Sequence, residues 1–369
     1  MSAPAAPLPH WARVFLLPGL NLLTAFFISG LVVLVLGENP FEVVSLLIWG
    51  SFGFGEAIGY TLFYATNFIF TGLAVAVAFH ASLFNIGGEG QAYIGGLGVA
   101  LVCLYLDFLP LPLLIPVAIV GAGLFGAAWA LIPAWLQARR GSHIVITTIM
   151  FNFIAASLIV YLLVNVMAKP GSMAPETRMF AEGARLPFMH DMLGWIGITI
   201  PHSPLNMSFL WALLACLFVW VLIWRSKLGY DIRTFGANPT AAVYAGISPV
   251  RITIITMLIS GALAGFMALN EIMGSQHRLL LEFTSGYGFV GIAVALMGRS
   301  HPVGVILAAL LFGALYQGGA ELAFDKPAIT RDLIVVIQGL VILFAGALEH
   351  MFRPRLASLF ARLTRNGGN

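Results

Sequence analysis

Residues Phe84–Ile94 read FNIGGEGQAYI, and they lie in a stretch of chain that otherwise avoids charge: no lysine or arginine occurs from Val14 to Ala138. Here an asparagine, a glutamate, a glutamine and three glycines fall within the seven residues Asn85–Gln91. In hydrocarbon every backbone group must be paired inside the protein, so irregular chain survives only where it is buried or lines a wet cavity. The glycines permit a break and a close approach of neighbouring helices. Asn85, Glu89 and Gln91 place polar groups at the start of a helix running to Leu106, where the helix dipole favours a carboxylate; the alternative reading is a capped helix end at the cytoplasmic interface with Glu89 in water.

Composition says why hydrocarbon is the relevant solvent. The 369 residues are 60% hydrophobic and 9% charged, against roughly 25% charged in soluble domains. Mean hydropathy is +0.96. A net charge of +3 carried by loops and tail reads as a topology signal, with no nucleic-acid partner. Cys103 and Cys216 sit in apolar runs, giving neither a disulfide framework nor a metal spacing.

A span needs about 20 apolar residues. The runs Val14–Leu36, Ala57–Phe79, Gln91–Leu106, Leu113–Leu136, His143–Met167, Met207–Trp224, Arg251–Met273, Pro302–Gln317 and Leu333–Phe352 predict nine spans. Tyr287–Met297, between Gly286 and Gly298, covers about half the hydrocarbon thickness and either crosses or re-enters. The expected fold is an all-α polytopic membrane protein of about ten helices, with residues 1–369 forming one transmembrane domain. Residues 168–206 form an outward loop able to make a small cap, 226–249 a cytoplasmic loop, and 354–369 a cytoplasmic tail.

Orientation follows the basic residues. Arg13, Arg139, Arg140, Arg225, Lys227, Arg233, Arg251, Arg299, Arg353, Arg355, Arg362 and Arg365 fall on one side; Lys169, Arg178, Arg185, Arg278, Lys326 and Arg331 fall on the other. The richer side is expected to be cytoplasmic, with both termini on it.

Asn67, Asn152 and Glu271 also occupy apolar helices, where a polar group either ties helices together or faces a pathway. NIGGEGQAYIGGLGVAL and SGYGFVGIAVALMG each set a glycine cluster before a small-residue helix, a faint echo of the broken helices of inverted-repeat transporters. In the cytoplasmic loop, Asn238 reads as an N-cap with Pro239 at the first helical position and a stop at Gly246. That is a short helix with a small-residue face, anchored by Arg233, which either offers a docking surface to another protein or is a plain connector.

FNIGGEGQAYIGG, RGSHIVITTIMFNFIA, GYDIRTFGANPTAAVYAGI and SGYGFVGIAVALMGRSHPVGVILAALLFG, in this order, resemble the motif set of ABC-transporter inner-membrane permeases of the branched-chain amino acid, simple sugar and nucleoside type. The version here looks most like the nucleoside permeases that work with a basic-membrane-protein-type binding protein. The pair His143–Ile144 departs from it, since such relatives often carry a more polar pair. The resemblance implies a fold of about ten helices in a bacterial inner membrane, a second permease subunit of different sequence, a cytoplasmic ATP-binding subunit and an external substrate-binding protein. It makes the loop of Arg233, Gly236, Asn238, Pro239, Ala241, Ala242 and Gly246 the element that docks on the ATPase.

No Walker A sequence occurs, so the chain cannot hydrolyse ATP itself; the resemblance implies a transport subunit that is not an enzyme and binds no cofactor, with ATP and Mg on the partner. Nucleosides suit a path with few charges, amide partners and aromatic faces, which selects Phe84, Asn85, Glu89, Gln91, Tyr93 and Asn152. The competing readings are a permease for a simple sugar such as a pentose, a stand-alone ion-coupled carrier titrating Glu89 and Glu271, and a pore. The carrier has no need of the docking loop, and the pore lacks a filter of repeated carbonyls or a ring of charges.

Overall fold

The computed structural model describes residues 16–326 except 36 and 170, with scattered residues towards both ends. The described chain is helical: α1 (Leu17–Val35), α2 (Pro40–Phe52), α3 (Gly55–His80), α4 (Gly88–Tyr105), α5 (Leu111–Arg140), α6 (Ile144–Asn165), α7 (Met189–Gly194), α8 (Ser208–Arg225), α9 (Lys227–Ala237), α10 (Pro239–Tyr244), α11 (Pro249–Ala268), α12 (Tyr287–Met297) and α13 (Pro302–Asp325). A π-helical segment, Leu269–Gln276, continues α11.

Among the described residues, six helices are long and apolar enough to cross a membrane, or seven if the bent pair Leu23–Val35 and Pro40–Phe52 is one span. The protein is thus a multi-pass membrane protein, and the count stands below the ten expected. The run Leu333–Phe352 and the tail 354–369 lie largely outside the described residues. The sequence reading passed over α2, because thirteen residues holding Glu42 and Ser45 are too short and too mixed to register as a span.

The residues form two compact units. The first comprises Met1–Gly50 and Gly318–Asn369, with an apolar core of Val33, Val43, Leu47, Leu322, Ile334 and Ile337. At its edge Lys326 bridges Glu38 at 3.2 Å and Glu42 at 3.0 Å.

The second unit, Ser51–Gln317, holds the motifs. Its centre is α3, of whose most apolar window 83% is buried, against 28% for α5 and α6. The outer helices turn leucine and phenylalanine outward, as Leu124, Phe153 and Leu214 show, which is the pattern of a lipid-facing surface. Inside, small residues let backbones meet: Gly95, Gly126, Gly261 and Gly265 bring α4, α5 and α11 into direct backbone contact. The helix α5 stops as its sequence dictates. Arg139 and Arg140 occupy the last turn, and Gly141 takes the left-handed conformation at φ 67°.

Two faces can be told apart. The start of α3 lies against Pro201 and Ser203 of the 168–206 loop, and its end, His80, lies against Gly236 of the 226–249 loop. The first loop does form a cap. Thr177 and Phe180 donate their N–H groups to the carbonyls of Leu279 (2.9 Å) and His277 (2.7 Å), and Leu186 to that of Met273 (3.1 Å). Arg278 pairs with Glu176 at 3.0 Å.

The segment carrying the short helix α12 runs from one face of this unit to the other. The chain leaves the cap at His277 and runs irregularly to Gly286. The α12 helix then descends to Ser300, whose carbonyl bonds to His80 Nε2 at 3.0 Å on the opposite face.

Candidate functional site

Depth within the unit is read against α3. Ala74 accepts a 2.6 Å bond from Ser260 Oγ, which in turn accepts from Asn85 Nδ2 at 2.8 Å. Asn85 therefore lies at the level of Ala74. Tyr287, at the head of α12, packs its ring on Phe68 (centroids 5.5 Å apart), and Gly291 abuts Thr71. The irregular stretches before α4 and before α12 thus enter from opposite faces and end at one depth, near the middle of α3. There the two glycine clusters touch. A side chain on Gly288 would run into the backbone of Glu89, so only glycine fits, and Gly286 holds a left-handed φ of 78° that opens the helix.

The carboxylate of Glu89 locks this junction. Its Oε1 accepts from Thr284 Oγ1 (2.6 Å) and the Gly286 N–H (2.9 Å), and its Oε2 from the Gly288 N–H (2.8 Å). The two backbone donors, Gly286 and Gly288, are orphan N–H groups at the N-terminus of α12, which a carboxylate satisfies best. Beside it, Asn85 and Gln91 exchange side-chain bonds at 2.9 and 3.2 Å, and Asn85 Oδ1 also accepts from the Gly87 N–H. Asn152 Oδ1 accepts from the Gly90 N–H, and its Nδ2 donates to the Ile86 carbonyl, both at 2.9 Å, fastening α6 to the break.

The structure thus gathers Asn85, Glu89, Gln91 and Asn152 around one break and uses their polar groups inside the chain. Tyr93 is buried with its ring edge-on to Phe283 at 5.4 Å. Phe84 is half-buried against Phe79 at 5.1 Å.

A second polar cluster, which sequence reading had touched only at Asn67 and Glu271, lies on the π-helical segment. Asn206 Nδ2 donates to Asn270 Oδ1 (3.0 Å), Asn270 Nδ2 to Asn67 Oδ1 (2.8 Å), and Asn67 Nδ2 to Glu271 Oε1 (2.6 Å). Next to it Tyr64, Tyr287 and Tyr316 form a triangle of rings with centroids 5.6–6.4 Å apart. No single motif contains these residues. They converge because α3, α12 and α13 pack together, and that is invisible to local pattern. Among the described residues, no three His, Cys, Asp or Glu side chains are grouped to hold a metal ion.

At the 226–249 loop, Asn238 Oδ1 accepts from the Ala241 N–H at 3.0 Å with Pro239 first in the helix, and Gly246 stands at φ 79°. The loop carries a further helix, α9, capped by Ser226 Oγ on the Gly229 N–H at 3.0 Å. Arg233 Nε has no hydrogen-bond partner. Buried Ile232 holds the loop, together with Ser82 Oγ donating to the Gly236 carbonyl at 2.7 Å. Ala242 faces inward and is fully buried, whereas Ala241, Val243 and Tyr244 face out, Tyr244 at 90% exposure.

Residues 57–346 match the family of branched-chain amino acid transport system permease components. The chain belongs to that permease family. Among the curated proteins similar to this permease is the glucose ABC transporter permease protein TsgB13 of Haloferax volcanii, 34% identical over 97% of this chain and 94% of its own. Another is the guanosine ABC transporter permease protein NupP of Bacillus subtilis, 34% identical over 90% and 93%. A third is the nucleoside ABC transporter permease protein NupB of Lactococcus lactis, 31% identical over 90% of each chain. No solved structure matches the permease significantly.

Proposed function

We propose that this ABC importer permease carries nucleosides. It would form the path with a second permease subunit, receive solute from an external binding protein and be driven by a cytoplasmic ATPase. It would lie in the inner membrane of a bacterium with both termini cytoplasmic. The observation that carries the transport reading is the meeting of two interrupted segments, entered from opposite faces, at mid-depth of α3. Broken helices that end near the midplane are where transporters build solute sites. The substrate rests on the nucleoside-named relatives at 34% and 31% identity.

The loop of α9 and α10 offers an apolar knob, Val243 and Tyr244, joined through Gly236 to the end of α3. ATP binding on a docked ATPase can shift the path between two states only through differential contacts of this kind. The relative named for glucose, similar over nearly the whole chain, supports a second reading in which a sugar is the solute. Uptake of labelled guanosine and glucose in cells deleted for this chain decides between them. Restoration of guanosine uptake by the intact gene supports the first reading, restoration of glucose alone the second, and restoration of neither rejects both.

A further inference from the structure

We propose that Glu271 is the group that recognises solute hydroxyls in the path, its second carboxylate oxygen accepting from the ring hydroxyls of a ribosyl or hexosyl solute. The inference rests on the import reading above and names the group that reads the solute.

The two buried glutamates of this unit differ in one decisive way. Glu89 has its carboxylate filled by three donors. Glu271, 4% exposed, has one donor among the described residues, the Asn67 amide on Oε1. A carboxylate has about four acceptor sites, and leaving them empty inside a membrane protein is expensive. No lysine, arginine or histidine pairs with Glu271 among the described residues. The spare acceptor capacity therefore suits a neutral donor brought by the solute, and hydroxyl groups are what nucleosides and sugars have in common.

The surroundings favour this assignment. The amides of Asn206, Asn270 and Asn67 donate in one direction, each to the next and the last to Glu271, so each bond strengthens the next donor and the chain holds the carboxylate in place by Oε1, leaving Oε2 over. Asn270 also donates to the Phe63 carbonyl at 3.0 Å, which fixes the chain to α3. Asn67 is the thirteenth of the 26 residues of α3, placing the carboxylate at mid-depth. Glu271 stands on a π-helical segment, a distortion that costs backbone geometry and recurs at functional sites. One turn from Asn67 on α3, Tyr64 joins the tyrosine triangle. Aromatic faces of that kind hold the apolar faces of sugar rings and bases.

The test compares guanosine with its 2′,3′-dideoxy analogue in the complete transporter, the binding protein's own affinity for each being measured separately and divided out. Glu271→Gln is expected to raise the uptake KM for guanosine about tenfold or more and to leave that of the dideoxy analogue nearly unchanged, so discrimination between the two collapses. A defect that is merely structural would weaken both alike. Protein is taken only from preparations that copurify with the ATPase. If Glu271→Gln does not assemble, Glu271→Asp, which withdraws the carboxylate by one methylene, is read in the same way. Where the intact transporter carries glucose instead, glucose and a deoxyglucose replace the nucleosides. Undiminished discrimination in the variant overturns the role of Glu271 while leaving the import reading standing. An intact transporter that carries neither solute overturns both.

Discussion

Glu89 and Gly288 are 199 residues apart in sequence and joined by a 2.8 Å bond from the Gly288 N–H to Oε2. With the bonds from Gly286 and Thr284, it ties the start of α4 to the start of α12. The two glycine-rich motifs, alike in sequence, are therefore halves of one joint. The short α12 has only about three turns, so its position depends on what holds its first residues.

Glu89→Ala is expected to leave the Gly286 and Gly288 N–H groups without acceptors in a buried site, at a cost of about 1–3 kcal/mol each. Glu89→Gln keeps one acceptor oxygen and should fall between the alanine variant and the native chain. Thermal melting of the detergent-purified protein, followed by monodispersity, checks the order. Equal melting of all three would show that the junction is not a structural lock.

Asn152 performs the matching task from α6, satisfying one N–H and one carbonyl of the broken stretch. Asn152→Leu should lower the melting temperature by several degrees, since both backbone groups lose their partners. Asn152→Asp retains the acceptor for Gly90 but not the donor for Ile86, and should be intermediate. The same melting series decides it, and an unaltered leucine variant would refute the fastening role.

Much of this was legible beforehand, for physical reasons that also set the limit. A glutamate among glycines in an apolar run points to a break, because irregular backbone within hydrocarbon survives only where it is buried or lines a wet cavity. The N-cap at Asn238 and the positive φ at Gly246 follow from local chemistry and appear as expected. What local pattern could not give is partnership. Whether Glu89 faces water, solute or a helix end depends on Thr284, Gly286 and Gly288, which no spacing near Glu89 encodes. The inward turn of Ala242 and the unpaired Nε of Arg233 likewise depend on packing across the loop. The tyrosine triangle needs three helices from distant parts of the chain. The helix α2 escaped because it is too short for the span criterion.

The cap should respond to acid through His277, which lies just beyond the span ending at Gln276. Burial holds its pKa below the ordinary imidazole value, with the nearby Arg185 charge acting in the same direction. Its Nδ1 bonds to the Met273 carbonyl at 3.1 Å and its ring meets Phe188 at 5.7 Å. With the folded pKa depressed, the unfolded chain binds the proton more readily. The contribution to stability is thus complete above the unfolded value of about 6.5 and is lost as pH falls through the folded one. The melting temperature of the native protein should drop between pH 7 and pH 5 more steeply than that of His277→Gln. Parallel curves would exclude His277 as the source.

The last prediction separates docking from folding at the 226–249 loop. Ala242 is fully buried and Tyr244 almost fully exposed, though both belong to the six-residue α10. Ala242→Arg would force a charge into a packed site, a change that costs several kcal/mol when no partner is present, and should lower the melting temperature of the isolated permease. Tyr244→Arg touches only the surface, where substitutions usually stay within about 0.5 kcal/mol, so melting should be unchanged. If the ATPase docks on this knob, Tyr244→Arg should nevertheless abolish copurification of the ATP-binding subunit and stop ATP-driven uptake, because an arginine there replaces the most exposed aromatic side chain of the loop. Copurification that survives Tyr244→Arg would move the docking surface elsewhere on the same face, most directly to the exposed Tyr230 of α9.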